Sequence, residues 1–234
     1  MPELPVLTRA LAHAERIAFR TADATHTYQQ LLDRSAVIAS ALLVGAGDLR
    51  EARIGVLVTP GPDYTSAQWA IWRAGGIMLP LSVSAAEREW EHALTDSRTS
   101  VLIADAINAS RIAPLCERLG VRVMSLDVLA GAMRATWPEI SADRAAMILY
   151  TSGTTSTPKG VVTTHANIQA QIECLVHAWE WNPADCIPLF LPLHHIHGII
   201  NVLGCALWTG ATVDAFPRFD AEAVLSRVRA GRYT

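Results

Sequence analysis

Short apolar segments recur between residues 50 and 130 of this chain, and helical periodicity follows them. The clearest segments cover residues 54–58, 77–81, 101–104 and 122–126. Strands that are apolar along their whole length are typical of parallel sheets covered by helices. Strands that alternate with helices predict β-α-β units. We therefore expect an α/β fold with layered, largely parallel sheets and flanking helices.

Polar residues placed just before apolar-periodic segments predict where helices begin. Thr27 is expected to cap a helix that runs to about Leu43, and Asp220 a last helix that runs to about Arg229. Ser84, with a glutamate three residues later, predicts a helix that begins with a capping box. Further helices are predicted over residues 63–74, 109–119, 166–178 and 197–208.

The second half of the chain contains a different arrangement of strands. An apolar run over residues 145–149 leads into Tyr-Thr-Ser-Gly-Thr-Thr-Ser-Thr-Pro-Lys-Gly at 150–160, and the β-branched residues 161–164 follow. Strand, glycine-rich loop and strand together predict a hairpin-like flap. Two more strands are expected at 186–191 and 211–213. Residues 131–143 interrupt the pattern, so we expect a first α/β region over 1–140 and a partial second one over 141–234.

The loop at 150–160 has the composition of a polyphosphate-binding segment. Glycines let the backbone approach an anion, hydroxyl and backbone N–H groups donate to phosphate oxygens, and Lys159 supplies a positive charge. The alternative of an ordinary surface linker also fits a Ser/Thr/Gly/Pro cluster. A P-loop does not fit, because Gly160 stands where the magnesium-binding Ser or Thr would be and a strand follows instead of a helix.

The composition narrows the class of protein. The net charge of −3 argues against nucleic-acid binding, and 51% hydrophobic residues can supply a sizeable core. No apolar run approaches the roughly 18 residues of a membrane span, and the first residues do not resemble a signal peptide. The cysteines form no C-x-x-C pair, which is typical of free thiols in a reducing compartment. We expect a cytoplasmic protein without a membrane span.

Three histidines lie close together at 194, 195 and 197. A metal site is one interpretation, but zinc sites usually draw ligands from more than one segment and no cysteine or carboxylate nearby has ligand spacing. We therefore expect no protein metal site. For His194 and His197, a core or supporting role is the simpler interpretation.

The loop resembles the phosphate-loop signature of the adenylate-forming enzymes, an aromatic residue followed by T-S-G-[ST]-T-G-x-P-K-G. Only Ser156 departs from it, where the family has glycine. That difference matters if the position needs a positive φ. Residues 192–198, Pro-Leu-His-His-Ile-His-Gly, resemble the family's next motif, P-L-[FH]-H-x-x-G. Residues 47–51, 67–70, 175–181 and 201–208 look most like the malonyl-CoA synthetase branch.

The resemblance implies an acid–thiol ligase that activates a carboxylic acid with ATP and then forms a coenzyme A thioester, with Mg²⁺ as a further cofactor. Malonate or another short-chain acid is the implied substrate; a medium- or long-chain fatty acid is an alternative. His195 is implied to act at the acyl carboxylate. The implied ATP-binding residues are Thr151, Ser152, Gly153, Thr154, Thr155, Lys159 and Gly160.

The resemblance covers only the N-terminal part of such an enzyme. Its adenine- and ribose-binding segments and its mobile C-terminal domain would lie beyond residue 234. We therefore expect an incomplete N-terminal domain that is inactive alone. A nucleotide-binding or regulatory module and a complete but unusual small enzyme are the alternatives.

Overall fold

The computed structural model describes residues 4–129, 131, 133–134, 136–151 and 158–234. Its larger sheet has six strands in the order β6-β5-β3-β4-β7-β8. Neighbouring strands are parallel, except that β7 and β8 are antiparallel. The bounds are β3 Arg53–Leu57, β4 Ile77–Pro80, β5 Val101–Ala104, β6 Arg122–Ser125, β7 Ala145–Thr151 and β8 Lys159–Thr164.

The smaller sheet has four strands in the order β2-β1-β10-β9. Strand β10 is parallel to both β1 and β9, and β2 is antiparallel to β1. The bounds are β1 Ile17–Arg20, β2 Thr25–Thr27, β9 Cys186–Leu189 and β10 Thr212–Ala215. The expectation of layered, largely parallel sheets is confirmed. Strands β1 and β2 were missed because they are short and contain charged and polar residues.

Each sheet combines strands from both sides of residue 140. Strands β7 and β8 extend the sheet that begins with β3, and β9 and β10 join β1. The division into regions 1–140 and 141–234 stays a prediction, and the two sheets do not follow it.

Helices cover both faces of the larger sheet. Alternate side chains of β3 show this arrangement: Ile54 and Val56 face one apolar cluster, and Leu57 faces the other. The first cluster also contains residues of the smaller sheet, so it lies between the sheets together with α2 and α3. The second cluster is formed with α4 and α5. The helices are α1 Pro5–Ala12, α2 Tyr28–Leu42, α3 Pro62–Arg73, α4 Glu87–Asp96, α5 Ala106–Leu119, α6 His165–Ala178, α7 Cys205–Thr209 and α8 Ala221–Arg229. Among the residues that the structure describes, no helix is both long and apolar enough to cross a bilayer.

Two of the three helix starts predicted from capping residues are present in the structure. The Thr27 hydroxyl accepts a hydrogen bond from the backbone N–H of Gln30 in a capping box, and Asp220 caps α8 as predicted. The predicted start at Ser84 is wrong: α4 begins at Glu87 after Ala86, with no side-chain cap. Ser84 instead bonds to Ser82 within the preceding turn, which is the local competition that keeps serines out of helices.

The helix predicted over 197–208 has an unexpected start. Residues His197–Gly204 form a π-helix, and α7 continues from Cys205. π-Helical segments are rare and often occur at functional sites. This segment follows directly on the histidine motif.

Candidate active site

Strands β7 and β8 form the hairpin predicted from the sequence. Tyr150 pairs with Gly160, and Thr151 pairs with Lys159. Thr151 and Lys159 are both exposed. The paired strand ends therefore carry a hydroxyl and an ammonium group at one end of the sheet. The other predicted phosphate-binding residues lie outside the described residues: Ser152, Gly153, Thr154 and Thr155, together with Ser156.

Gly160 has a packing role that the sequence did not reveal. A Cβ at this position would lie 2.9 Å from Ile148 Cγ2 and 3.3 Å from the Tyr150 ring atom Cζ. The Tyr150 ring thus lies close to the backbone of β8. A glycine at this position therefore allows the close approach of the tyrosine ring.

Tyr150 connects the end of β7 to helix α4. Its hydroxyl donates to Asp96 Oδ2 at 2.5 Å and makes a longer bond to the Ala93 carbonyl oxygen at 3.4 Å. Burial, together with the Asp96 carboxylate, raises the pKa of the Tyr150 hydroxyl well above its usual range. Tyr150 therefore stays protonated and acts as a hydrogen-bond donor.

The start of β8 is connected to the same helix through His92. His92 Nε2 lies 2.9 Å from the carbonyl oxygen of Pro158, which precedes β8. A carbonyl only accepts, so the imidazole carries its proton on Nε2. The His92 ring also stands edge-on to the Tyr150 ring, with centroids 5.6 Å apart.

The histidine motif forms a tight turn before the π-helix. A Cβ on Gly198 would lie 2.4 Å from the Pro192 carbonyl oxygen, so a side chain cannot be accommodated there. The buried Tyr64 hydroxyl of α3 donates to the Leu193 carbonyl oxygen at 2.9 Å. This turn exposes His195 and leaves His194 half-buried.

The hairpin and the histidine turn line a common groove of about 650 Å³, here called the α4 groove. It brings together two of the residues predicted from sequence, Thr151 and His195, together with Pro158 next to Lys159. Helix α4 forms one wall and contributes Arg88, Glu89 and His92. The groove therefore brings the ends of the β7–β8 hairpin next to the histidine turn.

His194 and His195 have their ring centroids 4.1 Å apart. Burial, and to a lesser extent the neighbouring His195, lowers the pKa of His194 to about 4, against a weak opposing effect of Glu89. His194 is therefore neutral at pH 7 and serves as a packing partner for His195.

His197 lies away from this pair. It is exposed, and its Nδ1 is 3.2 Å from Asn201 Nδ2. His197 is therefore not a core residue, and the supporting role, which was the other part of that expectation, stays a prediction. Within the described part of the chain, no group of three His, Cys, Asp or Glu side chains is placed to hold a metal ion.

The contribution of α4 to the site was not predicted from the sequence. Residues 89, 92, 93 and 96 follow helical spacing and share one face. That spacing is the only sequence signal for the groove wall, and it does not reveal which element the face contacts. The pairing of β7 with β4 decides this, because it places the hairpin beside α4.

Comparisons with known proteins identify the family of this chain. A family model described as "AMP-binding enzyme" matches residues 7–233. The mitochondrial malonate–CoA ligase of Mus musculus is 42% identical over 232 residues, which cover 94% of this chain and 40% of that protein. The malonate–CoA ligase of Arabidopsis thaliana is 30% identical over 241 residues, 92% of this chain and 40% of that protein. The chain thus spans about 40% of the length of these relatives.

Solved structures share the fold. The crystal structure of ATP-bound MatB from Rhodopseudomonas palustris superposes with a TM-score of 0.87 at 27% identity and covers 100% of this chain and 48% of that one. The N-terminal subdomain of Klebsiella oxytoca NpsA has a TM-score of 0.83 at 21% identity, covering 100% of this chain and 59% of that one. The second likeness concerns the fold alone.

Proposed function

Because this chain belongs to the AMP-binding enzyme family, we propose that it forms the phosphate- and carboxylate-binding part of an acid–thiol ligase. In the first step a carboxylate oxygen attacks the α-phosphorus of ATP, the bond to the β-phosphate oxygen breaks, and pyrophosphate leaves. In the second step the thiol of coenzyme A loses its proton and attacks the acyl carbon. The thioester forms and AMP leaves with the bonding electron pair.

The observation that carries the proposal is the α4 groove, in which the ends of the β7–β8 hairpin face the histidine turn. Phosphoryl transfer depends mainly on positioning and on stabilisation of charge. Thr151 and Lys159 supply a hydroxyl donor and a positive charge beside the groove. His195 supplies an exposed imidazole at its other side, where the carboxylate would bind.

Malonate is the proposed substrate, because relatives named malonate–CoA ligases match 94% of the chain. A longer fatty acid is the second candidate: the motifs in the groove are common to the whole family. A second carboxylate would need a cationic partner. Arg88 brings a guanidinium group to the groove wall.

Mg²⁺ is proposed as a cofactor on chemical grounds. This ion usually binds phosphate oxygens and water with few protein ligands. It needs no preformed cage of side chains, so the described residues are compatible with it. A cytoplasmic location also remains a proposal, and the animal relatives are named as mitochondrial.

Pyrophosphate exchange tests the function. The assay measures incorporation of labelled pyrophosphate into ATP, with malonate, acetate and a long-chain acid compared. It is run on the 234-residue chain and on an extended protein, in which the remaining part of the mouse malonate–CoA ligase follows Thr234. We expect malonate-dependent exchange in the extended protein only. Exchange by the chain alone would overturn its interpretation as an incomplete domain, and preference for the long-chain acid would favour the second candidate.

A further inference from the structure

Helix α4 contacts both ends of the hairpin loop. Asp96 Oδ2 accepts a hydrogen bond from the Tyr150 hydroxyl at the end of β7. His92 Nε2 donates a hydrogen bond to the carbonyl oxygen of Pro158, just before β8. His92 and Asp96 are four residues apart and therefore lie one above the other on the same helix face. We propose that these two side chains are positioning residues, which fix the two ends of the loop so that Thr151 and Lys159 meet the polyphosphate of ATP. The proposal rests on the proposed function.

Helix α4 is held in place by its packing against the rest of the protein. Between the two contact residues lie Ala93 and Leu94, which are buried in the second apolar cluster together with Trp90. On its other side, α4 is attached to α5 by the Arg118 ion pairs with Glu87 and Glu91. The face that contacts the hairpin is therefore held by a packed core behind it.

The contacts are specific to the strand ends. The hairpin ladder itself orders β7 and β8 up to the pair Thr151–Lys159. Thr151 and Lys159 form the last pair of the ladder among the residues that the structure describes. His92 acts on the residue next to Lys159, and Asp96 acts on the residue next to Thr151. Loss of either contact would thus affect the two predicted ATP-binding side chains before it affected the sheet.

The substitutions His92→Phe and His92→Gln separate the hydrogen bond from the packing. Phenylalanine keeps a ring against Tyr150 but cannot donate to Pro158, whereas glutamine keeps a donor and loses the ring. Thr95→Ala is the matched control, because Thr95 is an exposed residue of the same helix. Tyr150→Phe removes the hydroxyl that donates a hydrogen bond to Asp96.

Amide hydrogen exchange by NMR on the 234-residue chain gives the first measurement. We expect His92→Phe and Tyr150→Phe to raise exchange at Thr151, Lys159 and Gly160 about five- to tenfold, as loss of one hydrogen bond predicts. His92→Gln should restore slow exchange at Lys159, and Thr95→Ala should leave the rates unchanged. Amides of β3 monitor general loss of folding.

Titration with MgATP and with inorganic pyrophosphate gives the second measurement. We expect His92→Phe to lower the affinity for both ligands about five- to tenfold, and His92→Gln to keep most of the wild-type affinity. Unchanged exchange at Lys159 and Gly160 in His92→Phe would overturn the positioning role, whatever the titration gives. If the wild-type chain binds neither ligand while the exchange effects appear, the positioning of the loop ends stands and the phosphate role of this chain fails.

Discussion

Lys159 is an exposed residue for which we propose a role in phosphate binding and expect little contribution to the stability of the fold. It begins β8 and is exposed opposite Thr151. An exposed lysine contributes little to folding free energy, because its charge is screened by solvent. The same charge next to a polyphosphate makes a charge-assisted contact.

Replacement of Lys159 by alanine should therefore affect the ligand and leave the fold intact. We expect the affinity for MgATP to fall about 10- to 100-fold with no change in melting temperature. Titration calorimetry and thermal unfolding measure the two effects. Lys159→Arg keeps the charge and is the control. Normal affinity in Lys159→Ala would contradict the phosphate role.

His195→Ala should impair adenylate formation more than ATP binding. His195 is exposed and lines the α4 groove, so its replacement would remove the polar contact that we propose to the carboxylate and leave the hairpin unchanged. We expect pyrophosphate exchange in the extended protein to be about 10- to 100-fold slower, with the MgATP affinity kept.

The neighbouring His197 provides the control for this experiment. It is an exposed histidine of the same motif and bonds to Asn201 outside the groove, so His197→Ala should keep the exchange rate. Equal loss of ATP binding and exchange in His195→Ala, together with a lower melting temperature, would instead indicate a structural histidine.

At the scale of elements, the hairpin depends on the close approach of Tyr150 to the backbone of β8. The sequence motif predicted both strands, because apolar and β-branched residues flank the loop. It could not reveal why Gly160 follows the lysine. The reason is steric and comes from the opposite strand, where Ile148 and Tyr150 occupy the space that a Cβ would need.

Gly160→Ala should therefore destabilise the hairpin. We expect a loss of about 1–3 kcal/mol, typical of overpacking, measured by urea unfolding. Gly47→Ala is the matched control. A Cβ at Gly47 would meet no atom within 4 Å, and this glycine has no positive φ. The free energy of unfolding of Gly47→Ala should therefore stay within about 0.5 kcal/mol of the wild-type value. Equal stability of both variants would show that the strands can move apart at no cost.

The π-helix is an element that no local signal predicted. Residues 197–208 have helical periodicity, which is equally compatible with an α-helix. The turn before it is fixed by Gly198 against Pro192 and by Tyr64 of α3 against Leu193. Contacts between distant segments thus determine how the helix begins and where His195 lies.

At the scale of the whole molecule, the half-buried His165 makes folding stability depend on pH. His165 is the first residue of α6 and stands edge-on to Trp72 in the core. Burial, together with the positive charge of Arg144, lowers the pKa of His165 to about 4. In the unfolded chain its pKa lies near 6.5. The unfolded state therefore binds more protons between these values, and stability falls as the pH is lowered from about 6.5 to about 4.

His165→Phe should reduce this acid sensitivity by up to about 3 kcal/mol. The free energy of unfolding is measured by urea titration at several pH values between about 4 and 7, the range in which the histidine changes its charge. His177→Asn, at an exposed position of the same helix, should keep the wild-type slope. An unchanged slope in His165→Phe would contradict the lowered pKa of His165 in the folded protein.

Local patterns in the chain were enough to predict the alternation of strands and helices, the caps at Thr27 and Asp220, the hairpin and the family. Each of these depends on neighbours within a few residues or on a contiguous motif. Three features became known from the folded arrangement alone. They are which strands share a sheet, that the Ser84 side chain bonds within a turn instead of capping a helix, and that α4 forms one wall of the α4 groove. The physical reason is that strand pairing and close approach join residues far apart in the chain. Tyr150 meets Asp96 in this way, through packing that no local pattern encodes.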